Sequence, residues 1–403
     1  MSLDSVVVTN SSTAMSRRRL RIRIVRKEDR LSALPDSLID HILSFLPTKD
    51  AFATSILSKS WKHLWRSQLN INLDDRPFPD TLAFHQFFNS LITMRDNTLP
   101  ILSFHLKCHC AFFRKHHFHD FVYAPIARGV QILIIDLCYP ATLPSLVLTT
   151  KTLTVLKLKR ILLNYVRYVD LPSLQVLHLE DVTFTFLHCL HKLLSGCPIL
   201  RELETNDLTI KTRTMMSATA TASLSNLVTA NISGNNTIGL EWLHNVDHLH
   251  IQLNWTPPTI RGMFHNLTHL NLIFSFDREH FAVSKWRWLV QMLQNTPNLQ
   301  TLIIHEVFKV DAYAVNYFPI KEWKDPEIVP ECLLSHLTTC SFRNYTHIDC
   351  ELRFAKYIMQ NSRLLNTMTI QSDKLFDTNI KLQILIDLSS CPRISPTCKL
   401  LFI

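Results

Sequence analysis

Apolar residues recur along this chain in two rhythms. Between Leu34 and Trp65 they fall at steps of three and four. Leu34, Leu38, Ile42 and Phe45 form one series, and Ile39, Leu43 and Leu46 a second. Two such series make an apolar surface wider than the stripe of an ordinary surface helix. Pro35 suits the first position of a helix, and Pro47 ends that helix by pushing its predecessor out of the helical region. Thr48 is suited to cap a second short helix through Ala51, Phe52 and Ser55, and Ser58 a third that carries Trp61, Leu64 and Trp65. Three helices this short cannot bury so much apolar surface among themselves. The excess must be covered by the rest of the chain or by another protein.

From about Leu102 to Ile304 the rhythm changes to alternation, which predicts strands with one buried face. The clearest copies carry Leu153, Leu156 and Leu158; Leu174, Leu177 and Leu179; Leu267, Leu270 and Leu272; and Leu299, Leu302 and Ile304. Weaker copies begin at Leu200, Leu227 and Val246, and earlier strands are expected over Leu102 to Cys108 and Val130 to Leu137. Helical segments lie between several of them, at Phe186 to Leu194 and Lys285 to Leu293. Strand and helix in repetition predict a parallel sheet bent into a horseshoe or arc. Side chains that alternate with the leucines then share the open face. They are Lys157 and Lys159; His178 and Glu180; Glu202, Glu204 and Asn206; Thr229 and Asn231; His248, His250 and Gln252; His269 and Asn271; Thr301 and His305. Singly, each reads as a solvated sheet residue; together they make a polar, histidine-rich candidate face for a protein target. From Lys321 the spacing breaks down, with strand-like Thr338 to Phe342 and Met368 to Ile370 and helical Glu351 to Met359 and Ile380 to Leu388.

The stretch LPDSLIDHILSFLPTKDAFATSILSKSWKHLW resembles the F-box family, in the plant form followed by leucine-rich repeats. Leu34-Pro35 matches the family's leading pair, Ile39, Ile42, Leu43 and Leu46 its helical anchors, and Leu57, Ser58, Lys59 and Trp61 its Leu-Ser-Lys-x-Trp stretch, with Leu64 and Trp65 after it. Ser60 stands where plant members usually carry arginine. The last segment resembles the FBD domain through Val329 to Leu333, Tyr357-Ile358 and Cys391-Pro392-Arg393. The resemblance implies an α/β chain: a three-helix F-box, a leucine-rich-repeat solenoid shaped as a horseshoe, and a C-terminal α+β FBD cap. The expected divisions are a disordered basic arm over 1–27, the F-box over 28–72, a linker or first helical segment over 73–100, repeats over 101–320 and the FBD over 321–403.

The same resemblance implies a function. An F-box docks a Skp-type adaptor and through it a cullin, so the protein would be the non-catalytic, substrate-recognition subunit of an SCF-type ubiquitin ligase. It would hold an unidentified protein target close to the ubiquitin-carrying enzyme, and the rate gain would come from proximity. Adaptor binding would fall to Leu34, Pro35, Ile39, Ile42, Leu43, Leu46, Leu57, Trp61 and Trp65. A non-degradative repeat scaffold is the alternative.

Composition narrows these expectations. Five glycines leave little room for phosphate-binding loops, and no Walker-type or dinucleotide fingerprint is present. The net charge of +9 is concentrated in Arg17, Arg18, Arg19, Arg21, Arg23, Arg26, Lys27 and Arg30, which read as a solvated arm ahead of an import signal or nucleic-acid contact. No secretory signal or membrane-length apolar run is visible, so a nuclear or cytoplasmic protein with its ten cysteines as thiols is expected. The Asn-x-Ser/Thr triplets at Asn231, Asn235, Asn254, Asn266 and Asn344 would then stay unmodified. His105, Cys108, His109, Cys110, His116, His117 and His119 are dense enough to raise zinc, but their spacing fits no standard finger. Cys391 and Cys398 lack a neighbouring base in sequence. No cofactor, metal, membrane or nucleic-acid partner is expected.

Overall fold

A computed structural model describes residues 34–56, 61–109, 115–212, 224–234, 238–253, 258–275, 282–307, 325–345, 347, 349–372 and 378–403. The basic arm, Leu57 and Ser60 lie outside the described residues. Three short helices come first: α1 (Asp36–Ser44), α2 (Thr48–Ala53) and α3 (Trp61–Leu64). Pro35 and Pro47 occupy the N-cap positions of α1 and α2, and their carbonyls accept the first helical N–H groups. Thr48 is therefore not the cap of α2. It is the first helical residue, and its hydroxyl accepts the Asn72 N–H at 2.7 Å.

The strands follow in chain order: β1 (Asn70–Asp74), β2 (Ser103–Cys108), β3 (Ile132–Thr142), β4 (Val155–Leu163), β5 (Val176–Glu180), β6 (Thr183–Phe186), β7 (Glu202–Asn206), β8 (Thr209–Thr212), β9 (Thr229–Ile232), β10 (His248–Leu253), β11 (His269–Phe274), β12 (Thr301–Glu306), β13 (Thr339–Tyr345), β14 (Thr367–Ser372) and β15 (Lys399–Phe402). They form one sheet in which each strand lies beside its predecessor, except that β6 and β8 make a short side ladder against the end of β4. Every pairing among the described residues is parallel. Helices α4 (Thr81–Met94), α5 (Lys115–Ile126), α6 (Leu187–Ser195), α7 (Ala282–Gln294), α8 (Glu331–Ser335), α9 (Asp349–Asn361) and α10 (Thr378–Ser389) occupy the connections, as parallel pairing requires.

Alternation gives the sheet one core face. Ile71, Phe104, Leu133, Leu156, Leu177, Leu203, Ala230, Leu249, Leu270, Leu302, Cys340 and Met368 stand side by side in one buried column. A second column runs two residues further along each strand, from Leu73 and Leu106 to Phe342 and Ile370. Thr205 is its one polar member.

The sheet runs through every expected division of the chain from the F-box onward. The sheet begins at Asn70, inside the stretch assigned to the F-box, and α4 fills the expected linker as the first crossover. At the other end β13, β14 and β15 extend the same parallel sheet, with α9 and α10 between them. Strands and helices alternate there, so the C-terminal segment is α/β and not the expected α+β. Its connections are longer, and Cys340 and Met368 stand where earlier strands carry leucine, which hides the continuation from a leucine pattern.

Left-handed backbone sets the exits of three consecutive units. Arg160, Asp181 and Asp207 have φ of 56°, 52° and 52°, and each is followed by a buried apolar residue, Ile161, Val182 or Leu208. Aspartate tolerates this region. Arg160 is held in it by its guanidinium, which donates to the Leu137 carbonyl at 2.8 Å and lies 3.5 Å from the Asp181 carboxylate. Gly234 has φ of 92°, and a Cβ there would lie 2.7 Å from the Asp207 nitrogen.

A buried ion pair fastens a crossover helix to the sheet. Lys285 on α7 bonds the Glu306 carboxylate on β12, and both side chains are shut from solvent. The ammonium lies 4.5 Å from the Phe274 ring centre and 4.4 Å from that of Trp286. Burial pushes the lysine down to about 7, with the charge of Glu351 on α9 pulling the other way. Removing one member strands a charge in the core. Lys285→Met should cost about 3–5 kcal/mol in denaturant unfolding, whereas Lys285→Met with Glu306→Leu should recover most of it.

Candidate functional site

Two surfaces qualify. In α1 the two apolar series point in different directions. Positions 38, 42 and 45 lie about 100° around the helix from 39, 43 and 46. Ile39 and Leu43 face inward and pack with Ala51 and Trp61, and Leu34, Leu46 and Leu64 lie half-buried against them. Leu38, Ile42 and Phe45 face solvent, Phe45 with 74% of its surface exposed. Ile56, just past α2, is 86% exposed.

This divides the residues expected to bind an adaptor. Ile39, Leu43 and Trp61 are the interior of the small helical unit. Trp65 is buried against Phe52, ring centres 4.7 Å apart, and Phe52 meets Phe87 of α4 at 5.7 Å. These four are buried within the chain. Pro35 and Ile42 are exposed, Leu34 and Leu46 are partly so, and Leu57 lies outside the described residues. Leu38, Phe45 and Ile56 are exposed apolar residues missing from that expectation. The helical period separates the first two from the core series, but it does not say which series is covered.

The second surface is the sheet face opposite the core. Its middle row runs His105, Ile134, Lys157, His178, Glu204, Asn231, His250, Asn271 and Ile303. Beside it stand Glu202, Thr229, His248, His269 and Thr301, and on the other side Asp74, Lys107, Asp136, Lys159 and Glu180. All the residues read from the leucine register thus share one face. That reading missed the alternating charges of the last row, where Lys159 bonds Glu180 at 2.7 Å. It also missed the half-buried Ile132, Ile134, Val155, Val176, Ile273 and Ile303, which make the face less uniformly polar.

Several of these side chains are already paired. The His178 ring lies 2.7 Å from Glu202 through Nε2 and 3.2 Å from Glu204 through Nδ1. Asn271 and His250 share a hydrogen bond of 2.9 Å. His248 and His269 stack with centres 4.3 Å apart, and His248 Nδ1 lies 3.1 Å from Asp247. Burial holds His250 below the ordinary 6.5 with Glu204 opposing, and His305 is lowered by burial and by Arg343. His105 is likewise lowered by burial and by Lys157.

The other chemical candidates separate. His105 faces outward with its Nε2 3.0 Å from Ser103 Oγ, while Cys108 points into the core, where burial raises its thiol. The pair therefore cannot share a metal. The His119 ring stacks on Tyr123, and Cys110 and the side chains of His116 and His117 lie outside the described residues. Burial also raises the Cys391 and Cys398 thiols, which works against a thiolate nucleophile. Cysteines within the described residues are free, and no helix there is long and apolar enough to cross a membrane.

Three family models match along the chain. The F-box domain model matches residues 31–72, the Leucine Rich Repeat model residues 173–198 and the FBD model residues 325–370. The chain is similar to two F-box/FBD/LRR-repeat proteins of Arabidopsis thaliana. One is 30% identical, with 95% of each chain covered; the other is 29% identical, covering 95% of this chain and 96% of the relative. An FBD-associated F-box protein of the same plant is 29% identical over 93% of this chain and its own full length.

The histidines give a pH dependence. Each of His105, His250 and His305 binds its proton more weakly in the fold than in the unfolded chain. Their contribution to stability is present above 6.5, the unfolded value, and is lost as pH falls through the lower folded values. Thermal unfolding should therefore shift downward between about pH 7 and 5.5, and combining His105→Gln, His250→Gln and His305→Gln should flatten that slope.

Proposed function

The chain belongs to the plant F-box/FBD/LRR-repeat family, and on that premise we infer that it is the substrate-recognition subunit of an SCF-type ubiquitin ligase. Proteins of this family are generally non-catalytic adaptors. The outward series of α1, Leu38, Ile42 and Phe45, together with Pro35 and Ile56, docks a Skp-type adaptor, which joins a cullin. The observation that carries this reading is the exposed apolar face left on a helix whose opposite series already fills a core. Helices α1, α2 and α3 form the three-helix F-box in this reading, and the sheet with its crossovers is a curved repeat solenoid. The FBD completes its far end. The polar face binds the target protein, with Lys157, Lys159, His178, Glu180, Glu202, Glu204, His248, His250, His269 and Asn271 as its candidate contacts. The protein acts in the nucleus or cytoplasm.

A second reading, a repeat scaffold that no longer assembles a ligase, rests on Ser60 in place of the family's usual arginine. Co-purification of both adaptor and cullin separates the two.

The test contrasts the two apolar series. Ile42→Glu with Phe45→Glu should reduce capture by a co-expressed adaptor about tenfold or more while leaving thermal unfolding unchanged. Trp65→Ala should instead cost about 3–5 kcal/mol, because it empties a core site. Adaptor capture that survives the surface pair would overturn this reading.

A further inference from the structure

One cluster on the polar face has a chemistry that adaptor docking does not use. His178 on β5 and Glu202 and Glu204 on β7 converge so that one donor atom from each lies within 4.8 Å of the others. The shortest separations are 2.7 Å from Glu202 Oε1 to Nε2 and 3.2 Å from Glu204 Oε2 to Nδ1. Donors held at 2.0–2.2 Å around a tetrahedral zinc ion are spaced roughly 3.3 Å apart. The strands are directly paired, with His178 opposite Glu204, so the backbone spacing is fixed. One glutamate must swing to share a ring nitrogen with the other, and both carboxylates are half-exposed.

The neighbouring strand supplies an independent sign of a missing partner. Asn231 donates to Glu204 Oε1 at 3.5 Å, yet its own amide oxygen is shut from solvent and accepts no hydrogen bond among the described residues. A buried acceptor left so is destabilising unless a water or cation fills it. The cluster thus combines one imidazole and two carboxylates, with the Asn231 side chain beside them.

We propose that His178, Glu202 and Glu204 bind a divalent transition ion of the zinc class, with Asn231 or water completing the shell. Mixed imidazole and carboxylate donors favour such ions over magnesium or calcium, which take oxygen ligands. The neighbouring group of Asp247, His248 and His269 is less suited. Its two rings are stacked at an interplanar angle of 12°, so their nitrogen lone pairs lie in near-parallel planes and do not meet at one ion.

The full chain, stripped with chelator, is titrated with zinc by calorimetry and with cobalt by visible absorption. One equivalent should bind and raise the unfolding temperature. His178→Gln, or Glu202→Gln with Glu204→Gln, should weaken binding about a hundredfold and abolish that rise, while His248→Asn with His269→Asn leaves both unchanged. Magnesium should not compete. The glutamine pair is close in shape to the original, and its metal-free unfolding temperature verifies that it folds. Absence of binding to the parent chain overturns the proposal. So does zinc binding indifferent to these substitutions, which assigns the ion elsewhere, such as the Cys108 to His119 segment. Adaptor capture is unaffected in every variant, so this result stands apart from the ligase reading.

Discussion

Each strand of this sheet is held by having its two inward side chains covered by those of the strands on either side. Leu177 and Leu179 are buried because Leu156 and Leu158 stand before them and Leu203 and Thr205 after them. No unit encloses its own core, so stability is passed from neighbour to neighbour along the stack. The constraint acts on register before it acts on residue type. A slip of one residue would turn His178 and Glu180 inward and Leu177 and Leu179 out. Substitution within the columns is tolerated, as Ala230, Cys340 and Met368 demonstrate.

A stack of this kind must resolve its ends. At the β1 end the helical unit does so from two directions. Thr48 bonds the first strand, and the aromatic contacts run from Trp65 through Phe52 to Phe87. Arg95 adds a further tie by donating to the carbonyls of Gln68 and Pro100, although burial lowers its guanidinium to about 10. The tryptophan that a motif comparison assigns to a partner is thus what joins the helical unit to the sheet. At the other end β15 pairs on one side only, and Leu401 and Ile403 remain exposed.

Legibility in the sequence followed the physics of each element. The copies around Leu153 to Leu179 and Leu267 to Ile304 could be read because leucine repeats at fixed offsets, and their registers placed His178, Glu204, His250 and Asn271 on one face. Strand β1 was hidden by its position directly after the helical motif, where Asn70 to Asp74 offers only Ile71 and Leu73 to the core. Strands β13 and β14 were legible as strands over Thr338 to Phe342 and Met368 to Ile370, but their place in the same sheet was hidden because the columns accept cysteine and methionine. The left-handed turns at Arg160, Asp181 and Asp207 carry no glycine to announce them. The ion pair of Lys285 with Glu306 joins residues that only the fold brings together. Glu306 falls in an alternating apolar strand, where a lone charge in sequence gives no hint of its partner.

The hardest distinction lay within α1, and it bears most directly on function. Ile39 and Ile42 are the same residue type three positions apart, and both belong to regular apolar series. Burial of one and exposure of the other follow from which way the helix is turned by Ala51 and Trp61, not from anything in their own side chains. Leaving Phe45 in water forgoes much of the about 1.5–3 kcal/mol that full burial of such a side chain supplies, and leaving Leu38 and Ile42 partly exposed forgoes a smaller share. The inward series already satisfies the local core, so folding gains nothing from keeping the outward one apolar. A surface maintained at that cost is stabilised when further polypeptide covers it. This is why the exposed face, rather than the more regular buried one, is the part of the helix that points to a partner.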